Sequence, residues 1–301
     1  MAIASSESVA TRFSNKSFWL KIKPFIALLK LRLSILVVFS GLFGYLLAIK
    51  ELNIFKLIVL GIGSFCVTGA ANILNQIYEK EFDKLMRRTC QRPLPTGTIT
   101  ERQAFIYASI LGIVGIYLLA FHINFLTGGL SLLSLALYSF IYTPLKQITP
   151  FSVFIGAFPG ALPPLIGWVA AVEEISAGAL IIFGIQFFWQ FPHFWAIAWI
   201  GHQDYQRAGF RMLPLGEQKN RRIPVLMATY ASILIPLGIL PSMYGITGTI
   251  SAIIAVLAGT LFLISTFQLI ETGDDISAKK VLWASFLYLP TVQIAYLLDK
   301  T

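Results

Sequence analysis

The sequence predicts an all-α polytopic membrane protein, nine transmembrane helices bundled around a central cavity, on three observations. The first is composition. Of 301 residues, 56% are hydrophobic and only 12% charged, with a mean hydropathy of +0.76, and that charged fraction is about half of what a soluble chain carries. The second is distribution: charges come in bursts, separated by seven long stretches without Asp, Glu, Lys or Arg. The third is the sidedness of Lys and Arg that nine spans impose, taken up below.

The stretches define the elements in order. They cover 33–49, 57–78, 103–145, 147–172, 175–203, 223–270 and 281–299, the last ending at Asp299. A single span needs about 20 apolar residues. The third and sixth stretches hold 43 and 48 residues, so each must fold back once. His122-Ile123-Asn124 and Gly245-Ile246-Thr247-Gly248 supply the turn residues for the two breaks. The fifth helix carries Gly156, Pro159, Gly160, Pro163, Pro164 and Gly167. Such a run should kink it and needs a buried partner or a cavity to compensate. Helix packing and substrate lining are equal readings of that segment.

Orientation follows from the basic residues. With nine spans, the N-terminus and the loops after helices 2, 4, 6 and 8 share one side and hold 20 of the 23 Lys and Arg. The opposite side keeps Lys50, Lys56 and Lys300. That asymmetry predicts a cytoplasmic N-terminus and an opposite C-terminus, and it makes the net charge of +9 a topology signal. A nucleic-acid partner is therefore not expected. Residues 1–23 read as a polar cytoplasmic tail without the apolar core of a cleaved signal, and 24–301 as one membrane-embedded domain. Cys66 and Cys90 have neither disulfide nor metal-ligand spacing. The loops at 80–102 and 201–222 both begin acidic and continue with arginines, which suggests a duplicated four-helix unit capping one cavity.

Chemistry concentrates where the second stretch ends. Asn75, Glu79 and Asp83 recur every four residues, which puts three oxygen donors on one helical face over roughly 12 Å of axis. Such donors at the end of a span suit a hard cation such as Mg²⁺, and that ion suits a diphosphate. Arg87, Arg88 and Arg92 follow at once as phosphate ligands. Taken singly, each residue could be an interhelical hydrogen-bonding group or a solvated helix end. Together they read as a diphosphate site at a membrane surface.

The run Asn75-Gln-Ile-Tyr-Glu79-Lys-Glu-Phe-Asp83-Lys-Leu-Met86-Arg87-Arg88-Thr89-Cys-Gln-Arg92-Pro93-Leu94 resembles the first signature of the UbiA-type intramembrane prenyltransferases. Tyr142-Thr143-Pro-Leu145-Lys146 is in register with it. Phe191-Pro192-His193-Phe-Trp195 and Asp204-Tyr205-Gln-Arg-Ala208-Gly209-Phe-Arg-Met212-Leu213-Pro214 resemble the haem-prenylating branch more narrowly. The likeness extends from about Leu29 to the C-terminus. Three departures stand out: Glu79 occupies a position where many relatives have Asp, one carboxylate (Asp204) replaces a second acidic pair, and Leu31 replaces a proline.

The resemblance implies a UbiA-like bundle and transfer of a farnesyl group from farnesyl diphosphate to a vinyl group of haem b, with water addition. It implies Mg²⁺ held by Asn75, Glu79, Asp83 and Asp204, with Arg88, Arg92 and Lys146 on phosphate oxygens and Tyr142 assisting. Lys146 is the only basic residue between Arg102 and Arg207, with snorkelling at a helix end as its ordinary alternative. His193 lies mid-helix in an apolar run, where ionisable residues are costly. Three roles are open to it: ligation of haem iron, a hydrogen bond to a propionate, or a bond to a neighbouring helix. His202 reads as a loop residue and His122 as an outer-loop residue without a role. The implied setting is a bacterial plasma membrane, or the mitochondrial inner membrane of a eukaryote. Membrane lipid surrounds it, and haem A synthase or a terminal oxidase assembly is a candidate partner. Prenylation of a small aromatic acceptor and a transport function are the competing readings. A transporter would spread polar residues along a path, whereas here they gather at one face.

Overall fold

A computed structural model describes residues 21–215 and 218–301; most of the polar tail predicted over 1–23 falls outside them. A short helix α1 spans 21–28. It is followed by α2 (Leu31–Ala48), α3 (Ile54–Tyr78), α4 (Lys80–Leu85), α5 (Glu101–Phe121), α6 (Phe125–Ala136) and α7 (Thr143–Ile148). A six-residue π-helical segment, Leu137–Tyr142, joins α6 to α7. Then come α8 (Ser152–Val172), α9 (Ala177–Ile200), α10 (His202–Arg207), α11 (Arg222–Met243), α12 (Thr249–Thr272) and α13 (Asp275–Leu298).

Counting α6 through α7 as one, nine helices among the described residues are long and apolar enough to span a membrane. Both predicted breaks fall where expected, between α5 and α6 and between α11 and α12. Local chemistry starts the helices. Asn53, Asn124 and Asp274 cap the first turns of α3, α6 and α13, and Thr100 with Gln103 forms a reciprocal capping box on α5. The last helix starts six residues ahead of the charge-free stretch. Its first turns project Lys279 and Lys280 outward, which a search for uncharged residues cannot register.

The proline-rich fifth span, α8, is one continuous helix. Its backbone lies directly on α2: a Cβ on Gly167 would sit 1.8 Å from the Gly41 carbonyl, and one on Gly44 would sit 1.9 Å from the Pro164 carbonyl. Prolines 163 and 164 have no N–H to give the carbonyls of Pro159 and Gly160. Side chains of other helices supply the missing donors. Ser134 Oγ donates to Pro159 O at 3.4 Å and Gln186 Nε2 to Gly160 O at 2.8 Å. Of the two readings of this segment, the structure supports helix packing. The outward faces carry Ile113, Leu261 and Leu287, as lipid contact requires.

Candidate active site at the loop end of the bundle

The Asn75–Glu79–Asp83 series runs across a helix break. Helix α3 stops at Tyr78, Glu79 adopts φ −86°, ψ 4°, and α4 begins at Lys80. The four-residue ladder nevertheless survives: Glu79 N donates to Asn75 O at 2.9 Å and Asp83 N to Glu79 O at 2.7 Å. All three side chains therefore stay on one face, and all three are buried.

Each acidic or amide group meets a cation from another part of the chain. Lys30 Nζ donates to Asn75 Oδ1 at 3.1 Å, Lys146 Nζ to Glu79 Oε1 at 2.6 Å, and Arg92 Nη1 to Asp83 Oδ2 at 2.8 Å. Two carboxylates thus face three cations, and the cluster keeps a positive excess suited to a polyanion. Burial pushes the Glu79 carboxyl up, but the charges of Lys146 and Lys30 and the Lys146 hydrogen bond outweigh it and hold the group below its ordinary value. Burial, then the neighbouring Arg92 guanidinium, lowers Lys30 to about 7.

Asp83 is fully buried, and its second oxygen, Oδ1, has no hydrogen-bond partner. A charged oxygen is costly to bury unpaired. With the amide of Asn75 and the carboxylate of Glu79 on the same face, this orphan acceptor gives a donor set that fits a hard divalent cation.

The π-helical segment places Lys146. In a π turn the backbone gains one residue per turn, and such bulges concentrate at functional sites. Here it carries Tyr138 and Tyr142 into α7, where the Lys146 ammonium lies 4.6 Å from the Tyr142 ring centroid. Thr143, at its end, accepts from Asn75 Nδ2 at 3.2 Å and donates to Tyr138 O at 2.8 Å.

The two loops close over this cluster. Arg88 stacks on Tyr205 at 4.4 Å, Phe82 meets Phe210 at 5.6 Å, and Arg211 N donates to Lys146 O at 2.7 Å. The predicted duplication has a local counterpart, because Gly201 breaks α9 from α10 with φ −86°, ψ 11°, as Glu79 breaks α3 from α4. In that register Tyr205, not Asp204, takes the place of Asp83. Asp204 pairs with Arg207 at 3.2 Å and keeps a 19% exposed side chain. Among the described residues no three His, Cys, Asp or Glu side chains gather to hold a metal, so the structure does not bring Asp204 together with Glu79 and Asp83.

His193 is elsewhere, buried between α9 and α13. Its Nδ1 is 2.8 Å from Ser285 Oγ, and its ring stacks on Trp189 at 4.6 Å and 20°. Sequence reasoning missed Lys30, Thr143 and Tyr205. Lys30 is one of the 20 basic residues on the loop side, and its position at the mouth of the first span, facing the amide end of the second, is the available signal.

These features define an intramembrane prenyltransferase fold. The UbiA prenyltransferase family pattern matches residues 37–289, and the chain belongs to that family. The relatives it resembles include the protoheme IX farnesyltransferase of Cytophaga hutchinsonii, 46% identical over 279 residues, which are 92% of this chain and 98% of the relative. The mitochondrial protoheme IX farnesyltransferase of Arabidopsis thaliana is 36% identical over 273 residues, covering 90% of this chain and 63% of that one. Among solved structures, one described under digeranylgeranylglyceryl phosphate synthase superposes with a TM-score of 0.78 at 22% identity, covering 93% of this chain and 98% of that one. A UbiA homologue from Archaeoglobus fulgidus bound to GPP and Mg²⁺ gives 0.65 at 15%, covering 91% and 99%. Both structures share the fold, and the chain is an integral membrane protein.

Proposed function

We propose that the chain transfers the farnesyl group of farnesyl diphosphate to a vinyl group of haem b, with addition of water, giving haem O. The observation that carries the diphosphate half is Asp83, buried with one oxygen held by Arg92 and the other without a partner. The names of relatives up to 46% identical support farnesyl as donor group and haem as acceptor.

In this reading Lys30, Arg88, Arg92 and Lys146 bind and orient the diphosphate oxygens. Asn75, Glu79 and Asp83 hold Mg²⁺, which when bound offsets the charge gathering on the leaving group. The allylic C–O bond breaks with its electron pair leaving on diphosphate. Tyr142 and Phe210 present aromatic faces beside Lys146 that favour positive charge and exclude water. The vinyl π pair closes the new C–C bond. Water then adds to the carbon left electron-deficient and releases one proton, so the products are hydroxyethylfarnesyl haem, diphosphate and a proton. The loop end faces the cytoplasm, as the basic residues indicate.

The test is turnover of labelled farnesyl diphosphate by purified protein with either haem b or 4-hydroxybenzoate. Labelled haem in the first, dependent on Mg²⁺ and lost on chelation, is the expected result. A labelled benzoate product, or haem left unmodified, removes the proposal.

A further inference from the structure

Histidine 193 has two ring nitrogens, and the structure settles what each can do. The hydroxyl of Ser285 donates its single proton to Leu282 O at 2.6 Å. It has none left for His193, so the 2.8 Å contact between His193 Nδ1 and Ser285 Oγ must be a bond in which Nδ1–H donates. The neutral ring then carries its lone pair on Nε2. Ser285 fixes a second group as well: its carbonyl accepts the Trp189 indole N–H at 2.8 Å. That indole stacks on the imidazole at 4.6 Å, and Phe286 meets it edge-on at 5.1 Å, so the ring plane is held on two sides.

A lone pair on Nε2 cannot serve a propionate, which needs a donor, but it suits a metal. A metal-bound imidazole ordinarily gives its other N–H to a fixed acceptor, which sets the tautomer and orients the ring. His193 lies seven residues, or about 10 Å, inside the loop end of α9, and its neighbour Phe286 is 42% exposed on the outer face of α13.

We infer that His193 is an axial ligand to the iron of haem b through Nε2, and that Ser285 is the positioning residue that fixes its tautomer. This rests on the haem-acceptor reading above. The test is titration of purified protein in micelles with haem b, followed by absorption and resonance Raman spectra. The wild-type protein should give an imidazole-ligated spectrum. His193→Ala should lose it, and His193→Gly should regain it with added imidazole. Ser285→Ala should raise the Kd for haem b by about 10–100-fold, the range for loss of a ligand's outer partner.

His193→Gln separates the alternatives, since its amide can donate to a propionate yet ligates iron poorly. If that variant keeps wild-type affinity, or His193→Ala keeps the wild-type spectrum, iron ligation is overturned. Unchanged binding by Ser285→Ala overturns the positioning role. A wild-type protein that binds no haem b but consumes farnesyl diphosphate with a small aromatic acceptor brings down the functional reading itself.

Discussion

At the residue scale, the site is a set of buried ion pairs from separate segments, and removing one partner leaves the other charged in a dry place. Glu79 and Lys146 have side chains only 6% and 11% exposed. Lys146→Ala should therefore destabilise the protein by about 3–5 kcal/mol, read as a lowered Tm in micelles. The double variant Glu79→Gln, Lys146→Met should recover much of that stability while staying inactive. Asp83→Ala should lower kcat by about 10²–10³ or more, whereas Asp204→Ala, at an exposed pair with Arg207, should cost less than about tenfold by the same turnover assay. Equal losses in the two variants would place Asp204 in the site after all. That Asn75, Glu79 and Asp83 share one face was legible, because a spacing of four keeps side chains on one side of a helix. Lys30 was not, since nothing in a sequence tells a cation that neutralises lipid from one that turns inward.

At the element scale, a departure from ideal helix shape lies beside the site. The π segment Leu137–Tyr142 precedes Pro144. A proline announces only that an N–H is missing, and whether the helix kinks or widens depends on its neighbours. The same ambiguity applied to α8, where composition suggested a bend and the donors from Ser134 and Gln186 keep a continuous helix. Two substitutions check this packing. Gly167→Ala drives a Cβ into the Gly41 carbonyl and should cost about 1–3 kcal/mol. Gln186→Leu strands the Gly160 carbonyl and should cost a similar amount. Thermal unfolding that matches the parent would refute the tight α2–α8 contact for Gly167→Ala and the α8–α9 bond for Gln186→Leu.

At the scale of the molecule, the nine-span count and both reversals were readable because apolar length and basic asymmetry obey the bilayer rather than the fold. How the spans pack was not readable, since the uniformly apolar helices carry no periodic stripe to show which face turns inward. Orientation can be checked with Cys90, in the basic loop after the second span, and a Lys50→Cys variant at the opposite end. In inverted vesicles an impermeant maleimide should label Cys90 and spare position 50, and right-side-out vesicles should reverse the pattern; the opposite result would flip the topology.

The prolines of α8 carry one consequence for how the protein works. Because Pro159 and Gly160 depend on hydroxyl and amide donors anchored in two other helices, a slide of α8 by even a single residue would abandon those acceptors in hydrocarbon. That stave of the barrel is pinned in place. Whatever breathing admits two bulky greasy substrates and lets the product go must therefore come from the lid formed by the two basic loops and from seams that do not involve α8.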